Sequence, residues 1–177
     1  MTLPEFKPFP KMARLSREII VTEKLDGTNA SIHITEEGDI LAGSRNRWIT
    51  PVSDNYGFAA WVRDHRDELL TLGAGTHFGE WWGNGIQRGY SLTEKRFSLF
   101  NTSRGDNLPA CCHLVPILYQ GEFCTVEIDF ALRDLSERGS RAAPGFMRAE
   151  GLVVFHTAAN VGFKKTLQSD DAKGRGK

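Results

Sequence analysis

The stretch Thr22-Glu23-Lys24-Leu25-Asp26-Gly27-Thr28-Asn29 sets a lysine between two acids, with a glycine just beyond. The β-branched run Ile19-Ile20-Val21 precedes it and the alternating run Ala30-Ser31-Ile32-His33-Ile34 follows. It therefore reads as a bend between two antiparallel strands, with Lys24 at a strand end beside a pocket. A lysine so placed can attack phosphorus once its ammonium loses a proton, since only the free amine carries a lone pair. Partial burial or neighbouring positive charge favours that form. Gly27 lets backbone approach a ligand closely, and Asp26 can orient a donor or hold a ribose hydroxyl. Lys24 to Gly27 also spell an ordinary hairpin turn with a surface lysine, so the assignment needs support from elsewhere in the chain.

That support comes from other charged residues at expected strand ends. Arg45 and Arg47 follow the run Ile40–Ser44 and can bind phosphate through forked, charge-assisted hydrogen bonds. Glu80 stands among aromatics in Thr76-His77-Phe78-Gly79-Glu80-Trp81-Trp82-Gly83, where a carboxylate is costly to bury unless it is paired, binds metal or accepts hydrogen bonds. Phe100, on the opposite strand face from Phe97 and Leu99, can stack on a base. Glu150 opens the apolar run Gly151-Leu152-Val153-Val154-Phe155, and Lys164 and Lys165 sit inside the strand-like Val161–Leu167. Together these residues fit phosphoryl chemistry, in which cations neutralise a polyphosphate, acids hold a divalent metal and one lysine attacks. Strand-end salt bridges would use the same residue types.

The elements that must position them are short strands and two helices. Helical spacing of Phe58, Trp61, Val62, His65, Leu69 and Leu70 predicts a helix over Asp54–Leu72, and a second amphipathic helix is expected over Phe123–Arg138, closed by Gly139. An apolar strand is expected at His113–Leu118. Residues 1–17 form an extended lead-in, with prolines at 4, 8 and 10 and with Phe6, Phe9 and Leu15 available to pack on a sheet. Cys111, Cys112, His113 and Cys124 are close in sequence, but adjacent cysteines do not give zinc-ligand spacing. Lysine plus arginine and aspartate plus glutamate both number 22, so no global basic surface advertises nucleic acid. No apolar run approaches ~18 residues and no signal-like segment opens the chain, so a cytoplasmic protein without membrane contact is expected.

Five blocks in order resemble the nucleotidyltransferase domain of the covalent lysyl-adenylate ligases, most closely the RNA ligase family of the phage T4 RNA ligase 2 type. They are Glu23–Asn29, Ser44-Arg45, Phe78-Gly79-Glu80-Trp81, Phe97–Phe100, and Glu150–Val153 followed by Phe163-Lys164. The resemblance implies that Lys24 attacks the α-phosphate of ATP, releasing pyrophosphate and retaining AMP. Within the nucleotide-binding set of Glu23, Asp26, Gly27, Asn29, Arg45, Glu80, Phe100, Glu150, Lys164 and Lys165, it assigns particular roles. Asn29 and Arg45 contact the AMP sugar and phosphate, Glu80 the ribose and Phe100 the adenine. Glu150 helps hold Mg2+ or Mn2+, and Lys164 binds the α-phosphate. AMP then passes to an RNA 5′-phosphate, and a 3′-hydroxyl seals the bond.

The family's last motif reads Lys-x-Lys, whereas Lys164-Lys165-Thr166 has threonine at the second lysine position. Lys165 is the candidate substitute, although as the next residue in a strand it should point to the other face. The expected fold is α+β, an ATP-grasp-like domain over residues 1–167 with antiparallel sheets around an ATP cleft and peripheral helices. Residues 168–177 are expected to be a polar tail, without the C-terminal domain that full ligases use to grip nucleic acid, so self-adenylylation is better supported than sealing unless a partner protein supplies that grip. A non-catalytic nucleotide- or RNA-end-binding module of the same fold is the competing reading, and a DNA ligase or GTP-using capping enzyme is the third.

Overall fold

The computed structural model describes residues 4–168, and the expected tail past Gln168 lies outside them. Ten strands form two sheets. They are β1 (Glu18–Lys24), β2 (Thr28–Ile34), β3 (Ile40–Ser44), β4 (Trp48–Ile49), β5 (Gly75–Gly83), β6 (Lys95–Leu99), β7 (Cys112–Leu114), β8 (Ile117–Glu122), β9 (Gly151–His156) and β10 (Val161–Thr166). One sheet runs β10-β9-β1-β8 and the other β4-β3-β2-β5-β6-β7, all antiparallel except the β6–β7 pair. The α+β architecture is the expected one. Among the described residues no helix is long and apolar enough to cross a membrane.

Each sheet buries one face against helix. On β1 and β9, Ile19, Val21, Leu152 and Val154 meet Ile128, Ala131 and Leu135 of α3 (Thr125–Arg138), whose spacing makes one apolar stripe. Behind the larger sheet, Ile32, Trp81 and Phe97 pack with Phe58 and Val62 of α1 (Phe58–Asp64) and Leu69 of α2 (Arg66–Leu69). Full burial of each such side chain contributes about 1.5–3 kcal/mol.

Four expectations are corrected. The Lys24 bend joins two sheets instead of closing a hairpin: β1 pairs with β8 and β9, while β2 pairs with β3 and β5. The His113–Leu118 strand splits at Val115-Pro116 into β7 and β8, because Pro116 has no N–H for a ladder. The two crossings lie side by side. Leu25 and Val115 share a small core with Trp82, Tyr90 and Phe146, and Pro116 O accepts from Glu23 N at 2.9 Å.

The Asp54–Leu72 helix begins only at Phe58 and breaks at His65. Tyr56 has φ 54, outside the helical region, and the Asp54 carboxylate accepts from the amides of Ala59 (2.8 Å) and Ala60 (3.0 Å). Phe6, Phe9 and Leu15 do not pack on a sheet but stay exposed, since the prolines withhold ladder donors and the segment is tied down near its end, where Leu15 O faces His156 Nε2 and Arg17 O accepts from Phe123 N.

Candidate active site

The free faces of the two sheets oppose one another across a cleft of about 760 Å³. Alternation along β1 turns Ile20, Thr22 and Lys24 into it, and β9 adds Val153 and Phe155. The facing wall presents Asn29, Phe78, Glu80 and Phe100. The cleft lining is mostly apolar, and Lys24, Asp26, Gly27, Asn29, Arg45 and Glu80 line an adjoining polar recess.

Lys24 Nζ donates to Glu150 Oε2 at 2.7 Å, joining residues 126 positions apart. Register explains the meeting: Lys24 pairs with Gly151, so the residue before β9 reaches the strand end that carries Lys24. Opposite them, Glu80 accepts from Gly27 N at 3.0 Å and from Asn29 Nδ2 at 3.3 Å. Burial raises the Glu80 pKa to about 7, against the lowering effects of the Gly27 amide and of Lys24. Gly27 permits this contact because the crossing lies against β5, where a Cβ would stand 2.3 Å from Trp81 O.

Asp26 takes a structural ion pair. Its carboxylate accepts from Arg88 Nε at 2.7 Å, while Arg88 Nη1 donates to Arg148 O (2.9 Å) and Ala149 O (3.3 Å), just before Glu150. The Asp26 amide donates to the Tyr90 hydroxyl at 2.8 Å, and burial pushes that phenol's pKa upward. The Glu23 carboxylate turns away from the cleft and accepts from the amides of Arg141 (2.8 Å) and Ala142 (3.0 Å). Burial raises the Glu23 pKa, opposed by Ser140 and the two amides.

The tandem lysines part. Lys164 pairs in register with Val153, a cleft residue, and so shares the cleft face. Lys165 pairs with Leu152 on the α3 face and is held by Asp129 at 2.5 Å. Lys165 as a phosphate ligand is therefore corrected: strand alternation carries it away from the cleft. Among the described residues no group of three or more His, Cys, Asp or Glu side chains is arranged to hold a metal ion.

The family model for RNA ligase matches residues 17–167. The chain belongs to the RNA ligase family. No curated protein matches the sequence. Among solved structures, a mutant Naegleria gruberi RNA ligase with ATP and Mn aligns at a TM-score of 0.63 and 20% identity, covering 92% of this chain and 53% of that one. A mutant apo form gives 0.63 at 22% identity over 86% and 50%, and a mutant with AMP and Mn gives 0.59 at 20% over 86% and 50%. At such identity the likeness speaks for the fold. This RNA ligase family chain spans about half the length of those ligases.

In this family member, the structure brings Lys24, Asp26, Gly27, Asn29, Arg45, Glu80 and Phe100 to the cleft or its polar end with Glu150 paired to Lys24, sets Lys164 in register on the same sheet face, and carries the Glu23 carboxylate and Lys165 elsewhere. Sequence reasoning missed Arg88 and Tyr90 as supports of the crossing. Arg88 stood in a glycine-punctuated loop with no periodicity to mark it, and Tyr90 carried no local sign of burial.

Proposed function

We propose that this cleft carries out ATP-dependent self-adenylylation as the first step of RNA ligation. Adenine enters the apolar cleft beside Phe100, and the ribose hydroxyls donate to Glu80. Lys24 gives up a proton to solvent, its Nζ attacks the α-phosphorus, the N–P bond forms, and the bond to the β-phosphate breaks with pyrophosphate leaving. Arg45 and Lys164 neutralise the α-phosphate. Glu150 steers Lys24 in the free protein and would hold a divalent metal with phosphate oxygens and water, a ligand set that suits Mg2+ and needs no all-protein cage. When bound, the metal supplies neutralisation of phosphate charge.

The observation that carries this reading is the Lys24–Glu150 pair at the polar end of an apolar cleft, opposite a buried carboxylate. Transfer is the test: protein labelled with [α-32P]ATP is chased with 5′-phosphorylated RNA or DNA of equal sequence. Label passing to RNA supports the ligase reading, and preferential passage to DNA supports a DNA ligase. Bound nucleotide without transferable label favours a non-catalytic module.

A further inference from the structure

The sheet face that forms one wall of the cleft continues beyond it into the open. Register pairs Trp48 with Gly43, Gly43 with Ser31, and Ser31 with Phe78, so these residues form one row across β4, β3, β2 and β5 and project to the same side. The row of Asn29 and Glu80 lies two residues along the strands, about 6.6 Å away. A third row on the other side holds Leu41, His33 and Thr76.

Gly43 gives the Trp48 ring its seat, since a Cβ there would stand 3.3 Å from the ring and 2.4 Å from Ser31 Oγ. His33 packs against Trp48 with ring centroids 5.9 Å apart, and its Nδ1 lies 2.8 Å from Thr76 Oγ1. Trp48 is 56% exposed and Phe78 61%. Residues 40–53, which present Trp48, hold two arginines and no acid, and Arg47 is anchored to Ser53 Oγ at 2.9 Å while remaining exposed. Single exposed aromatics are ordinary. Here three rings share one face, continuous with a nucleotide-sized cleft and beside a segment that carries two arginines and no acid.

We propose that Trp48, backed by His33, forms a stacking shelf for an unpaired nucleobase of the RNA end entering the cleft, with Phe78 further along the same row toward the cleft. This proposal rests on the RNA-ligase reading of the same cleft. Stacking on an aromatic side chain needs only a π-face, so the shelf reads strandedness and backbone in preference to base identity.

The test is fluorescence anisotropy of a labelled, 5′-phosphorylated single-stranded oligoribonucleotide with the full chain. Wild type is compared with Trp48→Ala and Trp48→Phe, and melting curves and adduct formation on Lys24 are read from the same preparations. Trp48→Ala weakens RNA binding about tenfold, and Trp48→Phe restores most of it. Equal affinity of wild type and Trp48→Ala overturns the shelf, as does a wild type that binds no RNA. Loss in both variants alongside a lowered melting temperature overturns it too, by assigning Trp48 to folding. If wild type forms no adduct yet its RNA affinity still depends on Trp48, the adenylylation reading fails while the shelf stands.

Discussion

On the β1–β9 wall of the cleft, Lys24 and Glu150 answer each other as opposite charges 2.7 Å apart, with side chains 25% and 17% exposed. On the β2–β5 wall, Glu80 accepts from neutral donors, Gly27 N and Asn29 Nδ2, and burial lifts its pKa to about 7. Each wall presents a glutamate, Glu150 just before β9 and Glu80 within β5, but they charge it differently. The first offers a ready ion pair that an incoming phosphate and metal can rearrange. The second offers a carboxylate near its titration point, suited to accepting hydroxyl donors once ionised. On the proposed self-adenylylation, reaction and recognition fall to opposite sheets, joined by the adjoining crossings at Leu25 and Val115.

The sharpest break of this comparison is Lys24→Ala, which should abolish covalent AMP on a folded protein, read by intact mass and a melting curve. A strand-end lysine adds little to the core. Glu150→Gln keeps the shape and removes the charge, and the rate of adduct formation should fall about 10²-fold. The strand alternation at β10 predicts a split: Lys164→Ala weakens ATP use about tenfold or more, whereas Lys165→Ala, which removes an exposed pair with Asp129, leaves the rate near wild type and costs about 0–1 kcal/mol in stability. Comparable losses in the two lysine variants would contradict the assignment of faces.

Glu80 gives the pH-dependent contrast. Below its ordinary value of 4.5, folded and unfolded chains both hold the proton. Between 4.5 and about 7 only the folded chain does, so its contribution to stability is lost as pH rises through that window. Glu80→Gln should therefore raise the melting temperature of the ligand-free protein at pH 8 relative to pH 5, by roughly 2–8 °C. It should also flatten the increase in ATP affinity expected for wild type between pH 6 and 8. A pH-independent difference between the two proteins would remove the buried-charge explanation.

Local pattern was enough to place Lys24 and Glu150 at strand ends and to find α3, because periodicity and a polar-to-apolar switch are written in neighbouring residues, whereas Glu80, expected at a strand end, lies inside β5. It could not tell a hairpin from a crossing at Asp26-Gly27, since both need a tight bend and the choice is made by β5 and β9, far along the chain. The same limit hid Arg88, whose partner Asp26 lies 62 residues away, and Tyr90, 64 residues from the amide it accepts. It also concealed the fate of Glu23, which looked like a site acid and instead fastens a loop 118 residues further on. The late start of α1 depended on Asp54 capping from outside the helix and on the left-handed Tyr56, which helical spacing alone does not register.

The most direct measurement is intact mass of the purified protein after incubation with magnesium and ATP, with pyrophosphatase present and carried-over AMP removed beforehand, followed by mapping of the modified residue. The account predicts one AMP on Lys24 with ATP and none with GTP. An unmodified chain with either nucleotide, or AMP mapped to another residue, would contradict it.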